Sequence, residues 1–531
     1  MLPEHHDTLS HLVDSLIQLG TTHAVVSPGS RNAPNIHALV RAGITCHSVL
    51  DERSAGYQAL GMSVELDAPV ILCCTSGTAV LNYGPAIAEA FYDRIPIIAL
   101  TADRPGDQID QWDGQAIRQT GVFTNHVVQE FTVDLESDHP LPDFEGSWNM
   151  NGPIHINVPL REPLYDVPVQ ASNSAHLGHA TERRELVVTC VGLQEFLEED
   201  WSDKKVLLFQ GMDARDGIQL VSNEHPVLSD VTAINPGNVK HWDLVVSAEN
   251  CPDELIPDVL ITSGTTTVSK GLKQLLKRKH TIQHYHVAST NAIGRMFGTE
   301  PKWIDVHRIN INRPGMANTG EVKSDFYSKW IKVSNKVQSA MQPILDAGFN
   351  EISAVQTVID HLPGSVLHAA NSLPVRILSW LGQHTIRCNR GTSGIDGCTS
   401  TAVGAARVSE NLHVLISGDL AFQYDSNAFW GLNEHTNLKV VVLNNYGGGI
   451  FKVIDGPQRL GTAISFQTTP HDSNFSALAE HMDLQYFCAR STSELTDAIP
   501  RWLDVKGPAV LEVQTDVEST KQCIKQLKQI L

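Results

Sequence analysis

Two polar tips near the carboxyl terminus carry the residue types best suited to chemistry. Asp419 follows one strand candidate, 412–417, and Asn445 follows the next, 439–443. Because the carboxyl ends of parallel strands meet where open α/β sheets bind ligands, both tips are expected to emerge together. A carboxylate, a carboxamide and the glycine-rich turn at Gly447 offer hard oxygens that suit Mg²⁺ and, through it, a diphosphate. A helix cap and an Asn-Gly turn are the simpler interpretation of either tip alone.

The first third of the chain predicts another parallel sheet with polar loops at its edge. Short apolar runs alternate with helix-length segments, as in α/β proteins. The runs lie at 23–26, 44–50, 70–74 and 95–100. The loops after them contain Ser30, Arg31, Glu52, Arg104 and Gln115. An arginine beside free helix N–H groups suits a carboxylate, and a glutamate at the edge can bind a heterocycle. Ordinary turns and helix-dipole pairing remain the alternatives.

The later segments predict two more α/β units. Strand candidates at 205–209, 258–262 and 281–287 indicate a middle domain without a dinucleotide motif, GxGxxG. A third domain begins near 351, where loops place Ser372, Arg376 and Arg390 beside helix starts or turns. The fold class is therefore α/β, with three Rossmann-like domains and mainly parallel sheets. The predicted domains are 1–165, 186–345, which is largely structural, and 351–531, with a polar linker between the first two.

The overall composition limits the kinds of partner and cellular location that the protein can have. A net charge of −20 disfavours nucleic acid and anionic membranes, both of which reward a basic surface. Nine cysteines without CxxC spacing favour reduced thiols in the cytoplasm. The amino terminus lacks a signal-peptide pattern, and no apolar run approaches the length of a membrane span. Arginines at the loop tips indicate small polyanionic substrates, although surface ion pairing would explain any one of them.

These motifs resemble those of known enzymes. Gly-Asp followed by Asn-Asn is similar to the signature of thiamine diphosphate enzymes. Five loops narrow the resemblance to the 2-succinyl-5-enolpyruvyl-6-hydroxy-3-cyclohexene-1-carboxylate synthase family, often called MenD. They read Ser-Pro-Gly-Ser-Arg, Asp-Glu-Arg-Ser-Ala-Gly, Thr-Ser-Gly-Thr-Ala, Thr-Ala-Asp-Arg-Pro and Gln-Ala-Ile-Arg-Gln, in chain order.

The resemblance implies a role for each matched residue. Glu52 would be catalytic, hydrogen-bonding the cofactor pyrimidine, while Asp419, Asn445 and the Gly447 carbonyl would hold Mg²⁺ or Mn²⁺. The other cofactor-binding residues would be Ser393, Gly394, Ile395, Gly418, Leu420, Ala421, Ile450 and Phe451. The substrate-binding residues would be Ser30, Arg31, Arg104, Gln115, Lys270, Ser372, Arg376, Arg390 and Ile454. Lys270 is followed by Gly271, where some relatives carry an arginine.

The resemblance also implies a reaction and an assembly. The enzyme would decarboxylate 2-oxoglutarate and add the remaining succinyl unit to isochorismate in a 1,4 manner, in menaquinone biosynthesis. Glu52 and the metal residues lie in different domains, which in the family meet across a subunit interface, so a homodimer or dimer of dimers is expected. The rival interpretations are another thiamine diphosphate-dependent 2-oxo acid decarboxylase or carboligase and a non-catalytic paralogue. A phosphate-binding NTPase is disfavoured because GxxxxGK[ST] is missing.

Overall fold

The computed structural model describes most of the chain. The described residues are 3–137, 140–165, 186–212, 217–289, 297–309, 323–432, 436–453 and 456–531. The predicted linker and Ile454 lie outside these ranges. Within them, no helix combines the length and the apolar character needed to cross a membrane.

The first unit is a six-stranded parallel sheet in the order β2-β1-β3-β4-β6-β5. Its elements are α1 Pro3–Gln18, β1 His23–Val26, α2 Ala33–Arg41, β2 Thr45–Ser48, α3 Glu52–Leu66, β3 Val70–Cys74, α4 Thr78–Asn82, α5 Gly84–Tyr92, β4 Ile97–Asp103, β5 Gln129–Thr132, α6 Phe144–Ser147 and β6 Ile154–Pro159. The central strands β3 and β4 are buried along their whole length. They read as continuous apolar runs because separate clusters cover the two faces, one from α1, α2 and α6 and the other from α3, α4 and α5.

The middle unit has a five-stranded parallel sheet, β10-β8-β11-β12-β13, and a two-stranded one, β7-β9. Its elements are β7 Leu186–Thr189, α7 Cys190–Leu197, β8 Val206–Gln210, β9 Ile218–Val221, β10 Val227–Ser229, α8 Trp242–Ser247, β11 Val259–Ser263, α9 Lys270–Lys277, β12 Gln283–Ala288, β13 Lys302–Asp305 and α10 Asp325–Asp346.

The third unit repeats the plan in the order β14-β15-β16-β18-β17, again with parallel pairs. Its elements are α11 Glu351–His361, β14 Val366–Ala369, α12 Leu373–Trp380, α13 Cys398–Arg407, β15 His413–Gly418, α14 Asp419–Tyr424, β16 Leu438–Asn444, α15 Ile450–Val453, α16 Ile464–Thr468, α17 Ser476–His481, β17 Gln485–Ala489, α18 Thr492–Leu503, β18 Ala509–Gln514 and α19 Val517–Lys528. One buried cluster runs from Leu207 in the middle unit to Leu527 in α19. The predicted α/β class is confirmed, and the domain boundaries stay a prediction.

Helices α3 and α13 join the first and third units within one chain. A Cβ atom added at Gly61 would overlap the carbonyl of Thr401, and one added at Gly404 would overlap the carbonyl of Gln58. The two helix backbones are therefore in direct contact, which only glycine permits at these crossing points. Because α3 begins at Glu52, this crossing fixes where that carboxyl group lies relative to the third sheet.

Candidate active site

Strands β15 and β16 bring the two polar tips together. They pair in parallel, with Gly418 opposite Leu443, so Asp419 and Asn445 leave the same edge of the sheet. The Gly447 backbone N–H donates to Asp419 Oδ2 at 2.9 Å. The structure therefore places the predicted carboxylate in contact with the predicted turn.

Asp419 is a buried carboxylate with one neighbour that the sequence did not indicate. It opens α14 and is only 2% exposed. Its Oδ1 accepts from the Leu420 N–H at 2.7 Å, and its Oδ2 lies 3.2 Å from His471 Nε2. Burial raises the pKa of Asp419, so an unshared negative charge is costly there. A bound cation would remove that cost.

Asn445 presents an oxygen that the protein leaves without a donor. Its Nδ2 donates to Glu351 Oε1 at 2.9 Å, while its buried Oδ1 has no hydrogen-bond partner among the described residues. A Cβ atom at Gly449 would lie 2.6 Å from Asn445 Nδ2, so glycine leaves room for the amide. Buried oxygens normally have partners, and hard oxygens suit Mg²⁺. The residues present therefore fit a diphosphate-bound divalent cation.

Glu351 is the second unexpected group at this edge. It is fully buried, and burial together with the Asp419 charge raises its pKa to about 7. No local motif marks it, because it opens α11, far from both tips in the sequence. In the described ranges, no cluster of three His, Cys, Asp or Glu side chains could hold a metal. Neutral oxygens would therefore have to supplement Asp419.

The remaining predicted cofactor residues follow the two polar tips in sequence or lie in the loop 393–395. Leu420 and Ala421 form the first turn of α14, and Ile450 and Phe451 begin α15. The loop 393–395 is held from below, since Asn371 Nδ2 donates to the Gly394 carbonyl at 2.6 Å. Ile395 remains 36% exposed. Ile450 and Phe451 follow the turn at Gly447 directly, where apolar side chains could exclude water from a bound ligand.

Glu52 has the environment expected of a carboxyl group that binds a ring nitrogen. It is the first residue of α3, whose N-cap Asp51 accepts from the backbone N–H groups of Arg53 and Ser54. Burial raises the pKa of Glu52, and the neighbouring Asp51 charge adds to the shift. Within the described part of the chain, no hydrogen bond joins its carboxylate to another residue's side chain. It is thus available to a ligand.

Arg53 anchors the start of α3 to the third unit, a role not anticipated from the sequence. Its guanidinium donates to the carbonyls of Asp396 at 2.6 Å and Tyr424 at 3.2 Å, and it lies 3.6 Å from the Asp425 carboxylate. The Tyr57 hydroxyl also donates to Asp396 Oδ2 at 3.0 Å. These contacts hold Glu52 close to the third unit even within a single chain.

The predicted substrate residues form a first group at the edge of the first sheet. Arg31 is buried and donates to the Leu160 carbonyl and, at 3.2 Å, to Glu162 Oε1. Burial, followed by the positive charge of Arg104, lowers the pKa of Arg31, so the two guanidinium groups are close. Arg104 donates to the Gly114 carbonyl at 2.7 Å, and its Nε is buried without a described partner. Ser30 and Gln115 are exposed nearby in sequence.

A second group lies at the junction of the middle and third units. Arg376 donates to the Ser372 carbonyl, and its pKa is lowered by burial and then by Arg390. Arg390 donates to Asn371 Oδ1 at 2.6 Å and keeps a buried Nε without a described partner. Arg31 thus lies near Arg104, and Arg376 lies near Arg390. Such pairs of guanidinium groups are expected where several carboxylates bind.

The predicted lysine of the middle unit, unlike the arginines, lies exposed on the surface. Lys270 is exposed at the first position of α9. A Cβ atom at Gly271 would lie 2.6 Å from the Val246 carbonyl, so this backbone has no room for an arginine. The lysine whose pKa is lowered by burial and then by Arg390 is Lys273, which donates to Thr266 Oγ1 at 3.0 Å. Lys270 stays a predicted substrate residue.

A carboxyl group without a side-chain partner at the start of α3 and an unpaired amide oxygen beside Asp419 are features expected of a thiamine diphosphate-dependent enzyme. Residues 7–129 match the model described as "Thiamine pyrophosphate enzyme, N-terminal TPP binding domain", and residues 379–513 match its C-terminal counterpart. The predicted thiamine diphosphate dependence is confirmed.

Relatives that match almost the whole chain identify the family. A protein of Cytophaga hutchinsonii is 35% identical, with 97% of each chain covered. Proteins of Flavobacterium psychrophilum, 34% identical over 95% of this chain and 96% of the relative, and Flavobacterium johnsoniae, 33% identical over 97% and 98%, are similarly close. All three are named 2-succinyl-5-enolpyruvyl-6-hydroxy-3-cyclohexene-1-carboxylate synthase. This chain belongs to that family, as its loops predicted.

Proposed function

We propose that the enzyme decarboxylates 2-oxoglutarate and joins the succinyl unit to isochorismate by 1,4-addition, within menaquinone biosynthesis. The buried Asn445 Oδ1, left unpaired beside Asp419 and Gly447, is the observation that carries the proposal. It supports a magnesium or manganese ion held by Asp419, Asn445 and the Gly447 carbonyl, with the cofactor diphosphate completing the coordination. Whole-chain similarity to enzymes named for this product supports the choice of substrates.

Thiamine diphosphate, when bound, supplies a carbon nucleophile and an electron sink for decarboxylation. The chain supplies what that chemistry needs at neutral pH. Glu52, with its raised pKa, would hydrogen-bond the pyrimidine nitrogen and hold a proton there, which makes the adjacent amino group a base. Ile395, Ile450 and Phe451 would keep water from the reacting carbon.

The arginines account for substrates that carry several carboxylates. Guanidinium groups pair with carboxylates through two parallel hydrogen bonds, which both orient and stabilise the acid. The pair Arg31 and Arg104 lies at the first sheet, and the pair Arg376 and Arg390 lies at the third. We assign Ser30, Gln115 and Ser372, which adjoin these pairs in sequence, to the same substrate site, together with Lys270, which the family resemblance indicates.

The proposal includes the assembly and the compartment. A homodimer, or a dimer of two such dimers, would cover apolar side chains that lie exposed near the start of α3 and the ends of α4 and α14, namely Leu50, Leu81 and Tyr424. Light scattering of the purified protein tests this, and a monomer with full activity would contradict it. All nine cysteines, which lie in the described ranges, are free thiols, and this supports a reducing cytoplasm.

A coupled assay tests the reaction. Purified enzyme with Mg²⁺, 2-oxoglutarate and isochorismate is expected to release carbon dioxide and consume isochorismate only when thiamine diphosphate is added. Glu52→Gln should lower the rate roughly 100- to 10,000-fold, the range lost with a positioned acid–base group. The matched control is Glu65→Gln at the far end of α3, whose carboxylate pairs with Arg387 instead.

Three outcomes would overturn parts of this proposal. Carbon dioxide release that does not depend on isochorismate would identify a simple 2-oxo acid decarboxylase. Absence of any turnover with both substrates would indicate a non-catalytic relative. A Glu52→Gln variant with the unaltered rate would remove Glu52 from its role.

A further inference from the structure

Glu351 holds the side-chain amide of Asn445 through a buried hydrogen bond. The carboxylate is 2% exposed, and its Oε1 accepts from Asn445 Nδ2 at 2.9 Å. Its backbone is fixed as well, because the Glu351 N–H donates to Thr520 Oγ1 at 3.2 Å and Asn350 caps α11 with a reciprocal bond to Ser353. The position of this carboxylate is thus set by two helices, α11 and α19.

This contact determines which way the Asn445 amide points. A carboxamide has an acceptor oxygen on one side and a donor NH₂ on the other, whereas a carboxylate only accepts. The NH₂ group must therefore face Glu351, and Oδ1 must face away from it. That oxygen is buried and has no partner within the described residues. The glutamate consequently turns the amide oxygen away from its own carboxylate.

The adjacent pair Asn444 and Glu512 shows how an amide and a carboxylate are hydrogen-bonded when their role is only structural. Asn444 Nδ2 donates to Glu512 Oε1 at 2.7 Å, and Asn444 Oδ1 accepts from the Tyr446 N–H at 3.0 Å. Glu512 Oε2 in turn accepts from the Phe475 N–H and the Tyr486 hydroxyl. Every one of these oxygens has a donor. In the pair Asn445 and Glu351, by contrast, the buried Oδ1 of Asn445 lacks a donor among the described residues.

We propose that Glu351 is a positioning residue that turns the Asn445 amide so that its oxygen binds the divalent cation. The inference rests on the proposed metal ligands and adds a residue that orients one of them. Groups that orient metal ligands in this way typically change metal affinity 10- to 100-fold when removed.

The first measurement is Mn²⁺ affinity in the presence of thiamine diphosphate, followed by the magnetic resonance signal of free Mn²⁺. Glu351→Ala should weaken Mn²⁺ binding about 10- to 100-fold, and Glu351→Gln should keep the fold if the alanine variant does not. The matched control Glu512→Gln should lower thermal stability but leave Mn²⁺ affinity of the folded protein within about twofold. Unaltered Mn²⁺ affinity in both folded Glu351 variants would overturn the inference.

A rescue experiment separates positioning from a general structural effect. Aspartate presents an oxygen whichever way it is turned, so Asn445→Asp added to Glu351→Ala should restore most of the lost Mn²⁺ affinity. The same Asn445→Asp change with Glu351 intact should weaken binding, because two carboxylates then face each other. Failure of the rescue would show that Glu351 does not act through the amide.

Asp419→Ala distinguishes this inference from the proposed metal site. If Asp419→Ala loses Mn²⁺ affinity and the Glu351 variants do not, only the positioning role is wrong. If Asp419→Ala also binds Mn²⁺ normally, the proposed ligand set itself is wrong.

Discussion

Asp230 and Asp419 each directly follow a strand of a five-stranded parallel sheet, one in the middle unit and one in the third. Both oxygens of Asp230 accept hydrogen bonds, from the backbone and hydroxyl of Thr232, the Thr267 hydroxyl at 2.8 Å and the Val268 N–H at 2.9 Å. Beside Asp419, by contrast, Asn445 keeps a buried oxygen without a described donor. An aspartate after a strand is therefore not a binding site by itself. The unpaired amide oxygen beside Asp419 distinguishes the candidate metal site from the edge that carries Asp230.

The largest effect is expected when the third-unit carboxylate is removed. Asp419→Ala should weaken thiamine diphosphate binding by more than about 100-fold in the presence of Mg²⁺, because even indirect partners of metal ligands change affinity 10- to 100-fold. Calorimetric titration with the cofactor measures the loss. Thermal stability should change little, since burial of this charge is already costly. Unchanged cofactor affinity would remove the distinction between the two edges.

The matching change in the middle unit should have a smaller effect of a different kind. Asp230→Asn places an NH₂ group against donors and leaves one of them unsatisfied, at a cost of about 1–3 kcal/mol in the free energy of unfolding. Cofactor affinity of the folded variant should stay within about twofold of the parent value. Urea denaturation and the same calorimetric titration measure both quantities. A large loss of cofactor affinity would mean that the middle edge also binds ligand.

The smallest effect concerns Lys439, at the opposite end of β16 from Asn444. Its buried Nζ donates to the carbonyls of Val505 at 2.8 Å and Gly507 at 2.6 Å, and burial lowers its pKa from 10.5 to about 8. Between these values the folded protein binds fewer protons than the unfolded chain, so stability rises with pH. The gain from about pH 7 to about pH 9 should be roughly 1 kcal/mol.

Urea midpoints at the two pH values measure this gain. Lys439→Met removes the titrating group and should abolish the rise that this residue contributes. An equal rise in the variant would assign the pH dependence to other groups. In either case the ammonium at this end of the strand is satisfied by the chain itself, as Asp230 is.

Strands buried on both faces are predicted from the sequence, whereas the edge strands β5 and β17 are not. The runs predicted at 23–26 and 70–74 coincide with β1 and β3. Their continuous apolar residues are required because helices cover both faces of a parallel sheet. Strand β5, Gln129–Thr132, and strand β17, Gln485–Ala489, are mostly half-buried or exposed and carry no such signal.

The candidate site divides in the same way. Asp419, Asn445 and Glu52 stand in short motifs beside strands, and these motifs made them predictable from the sequence. Glu351 and His471 reach Asn445 and Asp419 only through the fold, because each lies on a separate element with no local pattern around it. Residues that orient a ligand-binding side chain can come from any part of the chain. No sequence spacing marks them, so only the folded structure reveals them.

The glycine contact between α3 and α13 carries a mechanical consequence. Two backbones that touch without intervening side chains leave no compressible layer, and protein interiors transmit strain because they are close-packed. The distance between the start of α3 and the third sheet of the same chain is therefore set by a rigid contact, and neither helix can slide along the other without separating the two backbones.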